Sequence, residues 1–181
     1  MQLALHVPLA EDIQAVGAVL GSNAQGGDFI MLNGPLGAGK TTLTQGIARG
    51  MGVRTSVSSP TFVIAQIYRG SNLELVHVDA YRLTSLEELD ALDLDTTFDT
   101  TLTVVEWGKG KTEVLSTDRL EIQISRPEGS ASGAEPADLY GDAPRELLLT
   151  SYGPRSTKLV EIIAQAAELQ KLQLPPAATV E

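Results

Sequence analysis

Gly34-Pro35-Leu36-Gly37-Ala38-Gly39-Lys40-Thr41 is the stretch that decides how the rest of the chain is read. It is a full match to G-x-x-x-x-G-K-[ST]. Before it stands the apolar run Phe29-Ile30-Met31-Leu32; after it, Lys40 to Met51 places Leu43, Ile47 and Met51 at helical spacing and closes on Gly50 and Gly52. Strand, glycine loop and helix thus follow in the order that a phosphate cradle needs. Glycines let successive backbone N–H groups converge on phosphate oxygens, and the helix N-terminus adds its partial positive charge. In such a cradle Lys40 neutralises the β- and γ-phosphates, Thr41 offers a hydroxyl to Mg²⁺, and Thr42 bonds a further phosphate oxygen.

Working outward, Ile13, Val16, Val19 and Leu20 predict a helix over Ala10 to Leu20, broken by Gly26-Gly27. Phe62 to Tyr68 and Leu73 to Asp79 read as hairpin strands around Arg69-Gly70-Ser71-Asn72, and Leu102 to Glu106 as a buried strand. Arg119 to Ser125 alternates apolar and polar residues and finds an antiparallel partner in Glu146 to Ser151. Thr157 to Leu172 closes the chain as an amphipathic helix. Leu86, Leu89, Leu92 and Leu94 predict short helical turns packed by leucines with their carboxylates solvated. Pro127 to Pro144 is rich in Gly, Ser, Ala, Pro and acids and is expected to be a disordered hairpin insertion. The expectation is one domain over 1–174 and a disordered tail over 175–181.

Composition narrows the function. The 181 residues include no cysteine, which removes disulfides, thiolate metal sites and cysteine nucleophiles and fits a reducing cytosol. No apolar run approaches membrane-spanning length, and Met1 to His6 lacks the basic start of a signal peptide. The net charge of −10 argues against broad sequence-independent binding to nucleic acid. That excess sits in two segments without a base, Leu83 to Thr101 and Glu128 to Pro144, both outside the glycine loop.

A phosphate cradle needs acids for its metal and its attacking water. Asp79 and Glu106 each end an apolar run, where strand ends open beside a bound nucleotide, so either acid can hold Mg²⁺ or orient the nucleophile. His77 lies on the same strand face as Asp79, as a carboxylate partner or a satisfied core histidine. Ser58-Ser59-Pro60-Thr61 forms either a loop that senses the γ-phosphate or a plain turn. Trp107 stacks on a base or covers core, and Arg82 meets a phosphate or the neighbouring acids.

Taken together, Gly34 to Thr42, Ser59-Pro60-Thr61-Phe62, His77-Val78-Asp79-Ala80-Tyr81-Arg82-Leu83 and Val105-Glu106-Trp107 resemble the TsaE (YjeE) family of bacterial P-loop ATPases. The resemblance spans about Ala10 to Pro154. It implies a three-layer α/β P-loop NTPase fold with a mixed, partly parallel central sheet. It also implies ATP and Mg²⁺ as ligands, and docking on a TsaD–TsaB complex where ATP is hydrolysed. The role implied is in making the N6-threonylcarbamoyl group on adenosine 37 of tRNA, with tRNA met only through that complex, in the cytoplasm. Carried over by residue, it puts the phosphates on Leu36, Gly37, Ala38, Gly39, Lys40 and Thr41, and Mg²⁺ on Thr41 and Glu106. Asp79 becomes the catalytic candidate beside Lys40 and Glu106, and Thr42, Trp107 and Arg145 complete the nucleotide set. Two positions depart from the family pattern: Pro35 replaces the usual acid, and Ile13 stands where a threonine is common.

The main rival from the loop alone is a small-molecule kinase, which uses the same cradle. Such kinases close an arginine-rich lid, yet neither acidic segment contains an arginine. A GTPase reading lacks any Asn-Lys-x-Asp sequence, and a vestigial interaction module would have no need of Lys40, Thr41, Asp79 and Glu106 together.

Overall fold

The structure, a computed structural model describing residues 1–126 and 144–169, runs β1 (Gln2–Val7), α1 (Ala10–Ser22), β2 (Phe29–Asn33), α2 (Lys40–Gly50), β3 (Ala65–Arg69), β4 (Glu74–Asp79), α3 (Leu86–Asp90), β5 (Thr101–Glu106), β6 (Leu120–Ser125), β7 (Arg145–Ser151) and α4 (Pro154–Leu169). The strands form one sheet in the order β1-β7-β6-β2-β5-β4-β3. At its centre β2 lies parallel to β5 and β6, and β5 parallel to β4. The edges are antiparallel: β3 on β4, β7 on β6, and β1 on β7. The α/β class and the mixed, partly parallel sheet are therefore as the sequence predicts.

The pleat sorts the core into two layers. Ile30 and Leu32 of β2 share one cluster with Leu102 and Val104 of β5 and with Ile13, Leu43, Ile47, Val160 and Ile163 of α1, α2 and α4. Phe29 and Met31 join Val76, Val78 and Val105 on the opposite face. That face is covered by the acidic segment, in which Leu83, Leu89 and Leu94 are buried while Glu87, Glu88, Asp90, Asp93 and Asp99 stay exposed. Its short helical turns are α3 and two single 3₁₀ turns, with Ser85 capping α3 through the Glu88 N–H.

Helices α1 and α2 meet through backbone. A Cβ placed on Gly17 would lie 2.4 Å from the Leu43 carbonyl oxygen, and one on Gly21 1.9 Å from that of Ile47. From the other side, a Cβ on Gly46 would lie 2.3 Å from the Gln14 oxygen and one on Gly50 2.1 Å from that of Ala18. Two glycines four residues apart on each helix thus allow an approach that no side chain permits. This contact seats α2, and with it the phosphate loop, against α1.

Elsewhere the structure differs from expectation in identifiable ways. Gln2–Val7 is a strand that the sequence reading passed over, although Leu3, Leu5 and Val7 carry the period of two; it pairs along β7, whose position at that edge is a long-range matter. The strand expected over Phe62 to Tyr68 begins only at Ala65, because the Pro60 carbonyl accepts from the Val63 and Ile64 N–H groups and Ile64 turns into the left-handed region at φ 69°. Helix α4 starts at Pro154 rather than Thr157. Asp118 acts as a remote cap, accepting from the Arg155 and Ser156 N–H groups at 2.8 Å each. Arg155 also grips the buried Asp28 with two bonds of 2.8 and 2.7 Å, tying α4 to the entry of β2. The insertion expected over Pro127 to Pro144 falls, except for Pro144, outside the described residues, as do the end expected for the last helix and the tail.

Candidate functional site

The loop between β2 and α2 turns sharply because Gly37 (φ 74°) and Gly39 (φ 114°) take left-handed backbone, which a side chain disfavours. The turn opens a cavity of about 390 Å³ whose wall includes Leu36, Gly37, Gly39, Lys40, Thr41 and Thr42. Parallel pairing of β4 with β5 sets Asp79 directly opposite Glu106, so both carboxylates reach this cavity from adjacent strand ends. Trp107 and Arg145 also line it. Of the residues that the resemblance assigns to nucleotide, metal or catalysis, only Ala38 does not line it, and of the further candidates His77 and Arg82 stand behind the wall. Ala38 is buried against Gly34, and its N–H donates to the Pro35 carbonyl at 3.2 Å.

Both acids at the site have partners that the linear sequence does not reveal. The Thr41 hydroxyl donates to Glu106 Oε1 at 3.0 Å, and His77 Nε2 lies 2.9 Å from the same oxygen. Asp79 is held at both oxygens: the Thr61 hydroxyl donates to Oδ2 at 2.8 Å and the Tyr81 N–H to Oδ1 at 2.9 Å. Ser59 Oγ lies 2.7 Å from Thr61 Oγ1, so the Ser59–Thr61 loop is built into the site rather than being a detached turn. Of the two readings of His77, the carboxylate partner is the one observed. Arg82 does not line the cavity; it donates to the Thr61 carbonyl and braces that loop from outside.

Lys40 is only 5% exposed. Its ammonium donates to the Gly34 and Pro35 carbonyls at 2.8 and 2.9 Å and sits 3.8 Å from the centre of the Trp107 ring. Burial pushes its pKa below the ordinary lysine value, while the Glu106 and Asp79 carboxylates act in the opposite sense. Trp107 holds this place from a left-handed backbone at φ 60°, with its N–H on the Leu32 carbonyl and the Tyr81 ring edge-on at 5.3 Å. A non-glycine residue in that conformation at a cavity wall is a constraint maintained by its surroundings.

Sequence reasoning did not assign several other contributors. Ala10 and Ile13 form an apolar part of the wall, and Arg126 donates to the Gly37 carbonyl at 3.4 Å. Ala10 is legible only as a helix residue, and Ile13 as a helix residue that departs from the family pattern; their place at the cavity follows from the α1–α2 packing. Arg126 closes a strand eighty-nine positions away, so nothing local could indicate it.

A glycine loop between a central parallel strand and a helix, with lysine and threonine beside two strand-end acids, is the arrangement of the P-loop NTPase-like fold. The family model described as "Threonylcarbamoyl adenosine biosynthesis protein TsaE" matches residues 7–133, and the chain belongs to that family. It is 44% identical over 156 residues to the tRNA threonylcarbamoyladenosine biosynthesis protein TsaE of Streptomyces coelicolor, covering 84% of this chain and 99% of that protein. The Bacillus subtilis protein of the same name is 36% identical over 156 residues, covering 86% and 89%. Among solved structures, Bacillus subtilis YdiB superposes with a TM-score of 0.71 at 32% identity, covering 92% of this chain and 96% of that one.

Proposed function

We propose that this chain is a Mg²⁺-dependent ATPase of tRNA threonylcarbamoyladenosine synthesis, acting in the cytoplasm with TsaD and TsaB and meeting tRNA only through them. The observation that carries the reading is the convergence of Lys40, Thr41, Asp79 and Glu106 on one cavity in a chain of the TsaE family. Among the described residues no helix is long and apolar enough to cross a membrane, which accords with it.

The donor set fits Mg²⁺. A hydroxyl and a carboxylate in contact at the phosphate loop are the hard oxygen ligands that this ion takes, and it commonly binds through only one or two protein groups plus substrate phosphates. Because the Thr41 hydrogen is directed to Glu106, the lone pairs of Oγ1 remain for a cation. Bound Mg²⁺ would neutralise charge developing on the phosphates. The loop amides and Lys40 bind and orient the phosphates, which requires the ammonium to exchange the Gly34 and Pro35 carbonyls for phosphate oxygens. Asp79, fixed at both oxygens by Thr61 and Tyr81, keeps free lone pairs with which to orient the attacking water. Leu36, Ile13 and Trp107 supply apolar surface around the nucleotide.

The test is ATP hydrolysis by the purified chain alone and with its cognate TsaD and TsaB, with product analysis. Phosphate release that rises on adding the partners is expected. A phosphorylated small molecule as product would replace this reading with a kinase, and inert ATP in both mixtures would remove catalysis altogether.

A further inference from the structure

His77 has no part in the chemistry assigned above, yet its position is costly for a polar ring. It is 0% exposed in β4, in register with Val104 of β5, and its face of the sheet continues as Leu75, Leu102 and Val104. An apolar side chain would fill that place without desolvating two ring nitrogens. One of the two, Nδ1, has no hydrogen-bond partner among the described residues; the other, Nε2, meets Glu106 Oε1 at 2.9 Å. A carboxylate oxygen accepts, so the bond assigns the proton to Nε2. Oε1 therefore takes two donors from two separate elements, the Thr41 hydroxyl from the start of α2 and the His77 ring from the neighbouring strand β4.

We propose that His77 is a positioning residue for the metal site: its Nε2–H pins Oε1 of Glu106, and with it the carboxylate plane, so that Glu106 meets Mg²⁺ in one orientation. The proposal rests on the reading of Glu106 and Thr41 as metal ligands. A carboxylate on a flexible glutamate stem otherwise has several rotamers, and partners behind a ligand generally govern its affinity for metal.

The experiment uses the full chain with ADP and follows Mn²⁺ binding by electron paramagnetic resonance. It compares wild type, Glu106→Ala, His77→Leu, His77→Gln and His77→Asn. The glutamine amide nitrogen reaches about as far as Nε2, whereas that of asparagine stops near Nδ1, so the last two differ in reach while both bury an amide. His77→Leu and His77→Asn are expected to weaken Mn²⁺ binding roughly 10–100-fold, with His77→Gln retaining most of the affinity. Nucleotide affinity without metal should be unchanged in all three. Should His77→Leu fail to fold, the Gln–Asn pair decides alone, because a purely structural role predicts equal Mn²⁺ affinity for both. Equal affinity in that pair, or wild-type Mn²⁺ affinity in folded His77→Leu, overturns the proposal. Glu106→Ala with undiminished Mn²⁺ binding, or wild type that binds no Mn²⁺ with nucleotide, instead overturns the metal reading beneath it.

Discussion

Gly46→Ala adds one methyl group where helix α2 crosses α1, and two effects of opposite sign compete. In an exposed helix the change would gain about 1 kcal/mol from intrinsic propensity. Here the added Cβ would stand 2.3 Å from the Gln14 carbonyl oxygen and 2.8 Å from its Cα, both backbone atoms that have no rotamer to escape into. Reaching ordinary contact requires the helices to part by about 1 Å, and overpacking of that kind costs roughly 1–3 kcal/mol. The three other glycines of the crossing are equally close, so separation at Gly46 disturbs the whole seam. With rigid backbone on both sides the cost should lie at the upper end, leaving a net loss of about 1–2 kcal/mol. For a domain of this size that is a fall in Tm of roughly 2–8 °C. Because α2 begins with Lys40 and Thr41, MgATP affinity should fall as well. Thermal melts by circular dichroism and a nucleotide titration check both. A Gly46→Ala protein with raised Tm and unchanged affinity would refute the backbone-contact account.

Lys40→Ala should abolish productive ATP binding while the protein stays folded, since the β- and γ-phosphates lose their cation; a binding isotherm measures it. Asp79→Ala should keep nucleotide affinity but lower the partner-stimulated rate by about 10²–10⁴-fold, whereas Glu106→Ala should lose the dependence on Mg²⁺. Mn²⁺ broadening that vanishes in Asp79→Ala rather than Glu106→Ala would exchange the two roles. Asp118 gives a pH effect: burial tends to raise its pKa, but the Ser156 and Arg155 N–H groups, the Ser156 hydroxyl and the Arg155 charge together hold it below the usual carboxylate value. A depressed carboxylate stabilises fully above its unfolded pKa, near 4, and that contribution is lost as pH falls through the lower folded value. Acid melts should therefore show wild type losing its advantage over Asp118→Asn below about pH 4, and Asp118→Ala at neutral pH should cost roughly 0.5–2 kcal/mol, as capping residues do.

A short stretch of backbone encodes part of this site before any long-range contact forms. The glycine loop is legible because left-handed turns at Gly37 and Gly39 and the helix beginning at Lys40 are local properties, set by residue type at fixed spacing. Buried strands such as Phe29–Asn33 and Thr101–Glu106 are legible from unbroken apolar runs, and the acids that end β4 and β5 stand out because charge interrupts them. Tertiary structure alone decided which of these groups touch. Asp79 and Glu106 become neighbours only through the parallel register of β4 and β5, and a slip of one residue would turn one carboxylate to the other face. Thr61 reaches Asp79, and His77 reaches Glu106, across eighteen and twenty-nine positions. Gly17, Gly21, Gly46 and Gly50 read locally as weak helix residues, and become the reason for the helix pair only once two backbones approach within contact distance. Local conformational preference acts over a few bonds and leaves a pattern in sequence. Contacts across a sheet or between helices depend on register and packing angle, which the whole core sets at once.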